Sequence, residues 1–354
     1  MSDFAVDVVI PVHTPERPIA RAVSSVLDGT VAAVRVNVVC HNVSPDAIAQ
    51  ALHGLADSPL VRLLTYADAT ASPSGPINTG LDAATAPFTA LLDSDDTYDR
   101  GAVDAWLSVQ RRDRADAVIP MFRYAEGGSA RTPPTRPFRN RRLNGVRDRL
   151  AYRSRLHGLV SRARFGEVRM TPGLTTGEDV IQGASVWYSD ALISFARNAP
   201  GYRIHTDGGE RTSAARKPAA ESLAFLDAVL ADAWLAGLTA AQRESFAVKL
   251  LRTHIMDVLT SILVESRPDD LAAVRDAVKR IDAAAPRAHR IVSRRDARIL
   301  SAICEPAPDT VGIAAELALR TEFRRPTNLV AAGAFQQLHR EAPLRFLGAV
   351  ALTA

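Results

Sequence analysis

The sequence predicts an α/β protein: a doubly wound, mainly parallel sheet followed by a helical C-terminal region. Three observations lead there. Over the first hundred residues, short apolar runs rich in β-branched side chains alternate with stretches of helical periodicity, the pattern of successive βαβ units. The acidic run Asp93-Ser94-Asp95-Asp96 directly follows the apolar Ala90-Leu91-Leu92, which puts three carboxylates at the carboxyl end of a core strand. After about residue 219 the pattern changes to Ala/Leu-rich amphipathic stretches over 221–237 and 240–266, which read as helices.

The elements follow in order. Val6–Val12 is an almost unbroken β-branched run, interrupted by Asp7 and carrying Pro11 near its end; it reads as a buried strand. Residues 18–27 place Ile19, Ala22, Val23, Val26 and Leu27 at helical spacing and stop at Asp28-Gly29, a C-terminal signal. A strand over 34–39 and a helix over 45–55 come next, then a short strand over 61–64. Ser74-Gly75-Pro76 opens a helix to about residue 84, and residues 88–92 form the strand that leads into the acidic run. Residues 115–120 continue the alternation. The Gly-, Pro-, Thr- and Arg-rich stretch 127–142 shows no period and reads as a long loop.

The 354 residues suffice for one large domain and a smaller one. Charged residues at 23% and hydrophobic ones at 47% describe a globular protein. Two cysteines, Cys40 and Cys304, cannot build a disulfide framework and suggest a reducing, cytoplasmic compartment. Residues 1–4 offer no basic n-region or apolar h-region, so no signal peptide is expected. No apolar run is long enough to span a bilayer, so membrane association is expected to be at most peripheral, at the inner face. The net charge is +4, yet only Lys217, Lys249 and Lys279 are lysines among 43 basic residues. Such a bias reflects genome composition more than function, and it lowers the weight of any arginine cluster. Residues 131–169 hold twelve arginines against Asp148 and Glu167. They read as a solvated surface, as contacts to donor phosphates, or as an attractor for a phosphorylated acceptor or an anionic membrane. Interleaved aromatics and nucleic-acid motifs are missing, so nucleic acid is not an expected partner.

Three carboxylates at a strand end are costly unless cations or hydrogen-bond donors meet them, and in open α/β sheets that end is where ligands bind. Oxygen-only ligands suit a hard divalent ion such as Mg²⁺ or Mn²⁺, with a nucleoside diphosphate completing its shell. A solvated acidic turn before a helix is the alternative, with Asp96 capping the helix that starts near Asp99-Arg100-Gly101. Glu178-Asp179, after Thr175-Thr176-Gly177, would ordinarily be a favourable pair at a helix N-terminus.

Four features now stand in one order: Val8-Val9-Ile10-Pro11-Val12-His13, Asn78-Thr79-Gly80-Leu81, Asp93-Ser94-Asp95-Asp96 and Gly177-Glu178-Asp179. Together they resemble the GT-A family 2 glycosyltransferases over roughly residues 5–215. That family has a first strand ending in Pro-Val-Tyr-Asn, a helix with Arg-Asn-x-Gly-Leu, a Leu-Asp-x-Asp-Asp metal motif and a later Glu-Asp pair. The resemblance implies a GT-A (nucleotide-diphospho-sugar transferase) domain over 1–215, its donor half about 1–125 and its acceptor half about 126–215, with a helical region over 216–354. It implies an inverting, metal-dependent transfer from a UDP-sugar or similar donor to a hydroxyl of a glycan or lipid-linked glycan.

By the same resemblance Asp179 is the expected general base, with Glu178 as its less favoured alternate. Asp95 and His205 are the expected ligands of Mn²⁺ or Mg²⁺. Pro11, Val12, His13, His41, Asn78, Asp93 and Ser94 are the expected donor-binding positions. His205 lies in Tyr202-Arg203-Ile204-His205, similar to a late family segment, and the run 206–213 after it reads as a closing loop. His157, His254 and His339 receive no role. The chain departs from the family at Val39-Cys40-His41-Asn42-Val43, where Val-Asp-Asp-Gly-Ser is usual, at Ile77 in place of an arginine, and at His13 in place of a tyrosine. A non-catalytic nucleotide- or sugar-binding scaffold therefore remains an alternative, as does a nucleotidyltransferase, although no glycine-rich phosphate loop follows the first strand. The C-terminal helices could serve homo-oligomerisation.

Overall fold

The structure, a computed structural model, describes residues 3–128, 135–207, 217–231, 233–265 and 267–353. The chain divides into two units. The first comprises 1–132, 138–143 and 153–215; the second comprises 133–137, 144–152 and 216–354. Two short pieces of the arginine-rich stretch thus group with the helical unit, a division that the expected single domain over 1–215 does not contain. Part of the expected loop 127–142 and most of the expected closing loop 206–213 lie outside the described residues.

The first unit is built on β1 (Val6–Val12), α1 (Ile19–Leu27), β2 (Val34–His41), α2 (Pro45–Ala51), β3 (Val61–Tyr66), α3 (Ser74–Asp82), β4 (Phe88–Leu91), β5 (Thr97–Tyr98), α4 (Ala102–Asp113), β6 (Ala117–Pro120), β7 (Phe122–Tyr124), β8 (Leu159–Ser161), α5 (Arg162–Phe165), α6 (Val180–Trp187), β9 (Ile193–Ala196) and β10 (Tyr202–Ile204). A seven-stranded sheet runs β3-β2-β1-β4-β8-β6-β9. Its pairs are parallel except at β8, which runs antiparallel to both β4 and β6. Side chains alternate across it as a pleat requires. Val8, Ile10, Val36, Val38 and Cys40 join Ile19, Val23 and Trp106 on one face, whereas Val9, Val39 and Leu91 meet Ile77 and Met170 on the other.

Two local devices position the site. Asp7, fully buried in β1, accepts hydrogen bonds from Arg35 (2.7 and 2.9 Å), Asn37 (3.1 Å) and the backbone N–H groups of Thr85 and Ala86 (2.6 and 2.8 Å). Burial opposes its ionisation, but these donors hold its pKa below the ordinary value. The carboxylate thereby fixes the turn that launches β4, and with it the acidic run. Gly80 lets α3 lie on the sheet: a Cβ there would come within 2.3 Å of Val9 Cγ1. Ile77, at the position where the family has an arginine, is 1% exposed in that same contact, so it serves packing.

A small second sheet, β5-β10-β7, stands at the carboxyl ends of the main strands. β10 pairs antiparallel with β5 and parallel with β7, and this carries Tyr202 and His205 to the acidic run.

The second unit is helical, as its periodicity predicts, with more breaks than the sequence suggests. The stretch 221–237 divides among the helices Ala219–Leu223, Phe225–Ala231 and Ala233–Gly237. The stretch 240–266 is Ala240–Leu250 and Met256–Val264 joined through a π-helical turn, Leu251–Ile255. The buried Glu341 ties this unit internally, accepting from Tyr152 (3.1 Å), Ser245 (2.9 Å) and Arg252 (3.2 Å). Among the described residues no helix is long and apolar enough to cross a membrane.

Candidate active site

In the order β3-β2-β1-β4, the chain runs outward from β1 to β2 and β3 and then crosses back to place β4 on the other side of β1, so a crevice opens at the carboxyl ends of these strands. His13 follows β1, His41 ends β2, and Asp93–Asp96 follow β4. Each acid of the run has its own partners. Asp93 takes Arg155 Nη1 at 2.7 Å, has His157 Nε2 at 3.7 Å, and lies 3.3 Å from the Tyr202 hydroxyl. Its backbone N–H donates to that hydroxyl oxygen at 3.1 Å. Burial opposes ionisation of Asp93, but Arg155, His157 and Tyr202 outweigh it and hold the carboxyl well below its usual range.

Asp95 is ion-paired with the buried Arg17, and its backbone carbonyl accepts from Arg21 Nη2 at 2.6 Å. Arg21 also grips Asp207 at 2.7 and 2.8 Å. Ser94 is buried in the same turn. Asp96 does not cap α4. It accepts from the His205 backbone N–H (2.8 Å) and the Tyr202 hydroxyl (2.8 Å); no side-chain cap is made at the start of that helix, whose N-cap is Gly101 in a left-handed conformation.

Burial, with Asp93 and Asp95 nearby, pushes the Asp96 carboxyl up to about 6, against the pull of the His205 N–H and Tyr202. An acid whose pKa is raised on folding binds its proton more tightly in the folded state. Its contribution therefore favours folding at low pH and is lost as pH rises from about 4 through about 6. Asp96→Asn keeps a donor and an acceptor for these partners. It is expected to gain about 2–3 kcal/mol over the parent at about pH 8 and almost nothing at about pH 4. Urea unfolding at the two pH values checks this, and an equal difference at both would refute the assignment.

The second acidic motif reaches the same place. Asp179 occupies the N-cap position of α6, but its side chain makes no capping hydrogen bond. Instead Arg155 Nε lies 3.8 Å from Asp179 Oδ2, and Arg155 Nη2 lies 3.3 Å from Glu178 Oε1. One guanidinium thus joins Asp93, Glu178 and Asp179. Burial, then the Asp179 charge, raises the Glu178 carboxyl against the pull of Arg155, so Glu178 keeps its proton more readily than an ordinary glutamate.

The remaining expected positions spread more widely. His41 Nε2 donates to Asp68 Oδ1 at 2.8 Å, and the Asp68 backbone N–H donates to Asn42 Oδ1 at 3.0 Å. Asn42, at φ 55°, holds the left-handed turn there, which asparagine tolerates. His13 lies beside this turn; the partial desolvation of its ring, then Arg17 and His41, lowers its pKa against the pull of Asp95. Asn78 spends its carboxamide on Met170, donating to its carbonyl and accepting from its N–H, both at 2.9 Å. That is a clamp between α3 and the chain before α6, where donor binding was expected. His205 Nε2 and Thr97 Oγ1 are 2.9 Å apart, so the ring is engaged with Thr97. Pro11 and Val12 lie within β1, paired with Val39 and Cys40. Among the described residues no group of three or more His, Cys, Asp or Glu is placed to hold a metal ion.

Sequence reasoning gave His157 no role, yet it sits on Asp93 and packs edge-on against Tyr202. It read the arginine-rich stretch mainly as solvated surface, yet Arg155 belongs to that stretch. Arg17, Arg21 and Tyr202 were also missed as partners of the acidic run. The available signal was weak: Arg17 and Arg21 lie four apart where α1 begins.

Comparison with known proteins bears on the fold that carries this site. The family model described as "Glycosyl transferase family 2" matches residues 7–170. A search of curated protein sequences finds no match. Among solved structures, that of S. aureus TarS 1–349 in complex with UDP-GlcNAc superposes with a TM-score of 0.74 at 15% identity, covering 90% of this chain and 92% of that one. The complex of TarS 1–349 with UDP gives 0.71 at 15% identity over the same shares. S. aureus TarS crystallised at greater length gives 0.69 at 15% identity, over 89% of this chain and 55% of that one. At such identity the superposition speaks for the fold, and the fold is GT-A. Residues 7–170 match the glycosyl transferase family 2 model, and together with the fold this supports a glycosyltransferase.

Proposed function

We propose that this protein transfers a sugar from a nucleoside diphosphate donor, UDP-linked in the first instance, to an acceptor hydroxyl with inversion, using Asp179 as general base. The observation that carries the proposal is the convergence on Arg155: acids 86 residues apart in sequence, Asp93 and Asp179, meet one guanidinium. A hydroxyl is a poor nucleophile until a base takes its proton in the transition state. Asp179 suits that task because no capping bond engages it. On the donor side, TarS structures of the same fold hold UDP and UDP-GlcNAc. His41 carries its hydrogen on Nε2 toward Asp68, which leaves Nδ1 to meet a nucleobase.

A divalent metal fits this donor set only as a guest of the substrate. Asp95 can supply one carboxylate once Arg17 yields it, and diphosphate oxygens and water must supply the rest, a usual arrangement for Mg²⁺. When bound there, the ion would neutralise charge on the departing diphosphate. His205 is not needed as a ligand in this arrangement.

Release of nucleoside diphosphate from UDP-, GDP- and dTDP-sugars, followed with and without Mn²⁺, tests the reading. So does calorimetry with the free diphosphates; if none binds, with or without metal, a transferase site is excluded. Asp95→Ala is expected to weaken metal-dependent donor binding by about tenfold or more, the worth of a charge-assisted contact. Unchanged or tighter binding in that variant would instead make Arg17, freed of its partner, the group that meets the diphosphate.

A further inference from the structure

The helical unit carries a surface that sugar transfer does not use. Ala334–Leu338 is a 3-10 turn in which Gln336 is buried while Phe335 and Leu338 are 89% and 81% exposed. Spaced three apart, these two side chains eclipse on one side of the turn. Arg345 donates to the Leu338 carbonyl, which holds its guanidinium at this turn. Its neighbour Leu344, in the helix Pro343–Thr353, is 62% exposed.

The same surface concentrates positive charge. The buried Arg149 donates to the carbonyls of Arg340 and Arg345, fastening the segment 144–152 to 340–345. Arg147 and Arg136 are thereby brought near Arg340. Burial, then the charges of Arg345, Arg136 and Arg147, lowers the Arg340 pKa, and the acid that opposes them is Asp148. Asp148 is itself fully buried and committed: it accepts from the Arg136 side chain at 2.8 and 2.6 Å and from the N–H groups of Arg136 and Asn144.

We propose that Phe335, Leu338 and Leu344, framed by Arg147, Arg340 and Arg345, dock this protein on a bilayer carrying anionic headgroups. A soluble polyanion would satisfy the guanidinium groups but leave three large apolar side chains in water. A second copy of the chain would set like charges face to face. An anionic membrane surface meets both needs: the apolar tips enter the headgroup boundary while the arginines stay at phosphate level along their apolar stems.

The test is flotation of the full chain with vesicles of mixed phosphatidylglycerol and phosphatidylcholine against vesicles of phosphatidylcholine alone. Binding is expected only to the anionic vesicles and is expected to fall with salt. Each arginine near such a surface is worth about fivefold in partitioning, so Arg340→Glu/Arg345→Glu is expected to lower binding by about twenty-five-fold or more. Leu338→Ser/Leu344→Ser is expected to lower it by about tenfold or more at unchanged charge. Donor hydrolysis in solution should be unchanged in both, which shows that they fold. Equal binding to neutral vesicles overturns the proposal, as does retained binding in the arginine variant. So does loss in the arginine variant with none in the leucine variant, the pattern of a soluble polyanion site, which soluble polyphosphate would then occupy as tightly.

Discussion

Asp179→Asn is expected to lower kcat by about a hundredfold to ten-thousandfold while leaving donor affinity within about twofold. The substitution keeps the side chain's size and removes its charge, and with it the capacity to take a proton. Asp179 heads α6 without capping it, so the variant should fold with its helix intact, and lost activity would report on chemistry. Glu178 is the internal comparison. Glu178 is buried and accepts from Arg155 Nη2 at 3.3 Å, whereas Asp179 is only half-buried and lies 3.8 Å from Arg155 Nε, so Asp179 is the carboxylate more open to an acceptor hydroxyl. Glu178→Gln should therefore weaken transfer far less than Asp179→Asn.

The decisive measurement is single-turnover transfer set beside calorimetric donor binding for both variants. If Asp179→Asn transfers at the parental rate, it is not the base. If Glu178→Gln carries the larger loss, the two roles exchange. Loss of donor binding in Asp179→Asn would show that the carboxylate acts through Arg155 and Asp93 on the donor, and not on the acceptor hydroxyl.

The difference between what was and was not legible in the sequence follows the range of the interactions. β1, β2 and β4 are local patterns of β-branched residues, and the acidic run after β4 declares itself by its place beside them. The order of the motifs carried the family resemblance over roughly residues 5–215, and the family model matches 7–170 of that span. By contrast, β8 is three residues long, too short for a period to be seen, so its antiparallel insertion between β4 and β6 was invisible. The π-helical turn at Leu251–Ile255 leaves the apolar pattern almost unchanged and was read as continuous helix. The partners of Asp93 come from 62 residues away at Arg155 and 109 at Tyr202, distances at which only the completed sheet brings side chains together. Arg155 was further hidden by composition: in a chain with forty arginines, one more carries little information until its burial is known. Asn78 shows the reverse case. Its motif pointed to a ligand, but its carboxamide is committed to Met170.

Arg155→Met is expected to be the most damaging single substitution in the first unit, costing about 3–5 kcal/mol of stability near neutral pH along with most of the transfer activity. The methionine fills similar volume, so little of this comes from packing. Asp93, Glu178 and Asp179 would be left around a site with no cation between them. The sign of the pH dependence separates this from a packing defect. Arg155 helps hold the Asp93 carboxyl below its ordinary range against burial, so the stability it confers is present above the usual carboxylate pKa and is lost as pH falls through the lowered one. In the variant these carboxyls take up protons at higher pH, which relieves their repulsion. The stability gap between parent and Arg155→Met should therefore be widest near about pH 7 and narrow steadily toward about pH 4. Arg155→Lys restores a charge but not the fork that reaches three carboxylates at once. It should recover part of the stability and little of the rate. A gap that stays constant with pH would mean that Arg155 only fills space, and an Arg155→Lys variant with full activity would show that one positive charge suffices and that joining the two acidic motifs through the fork is dispensable.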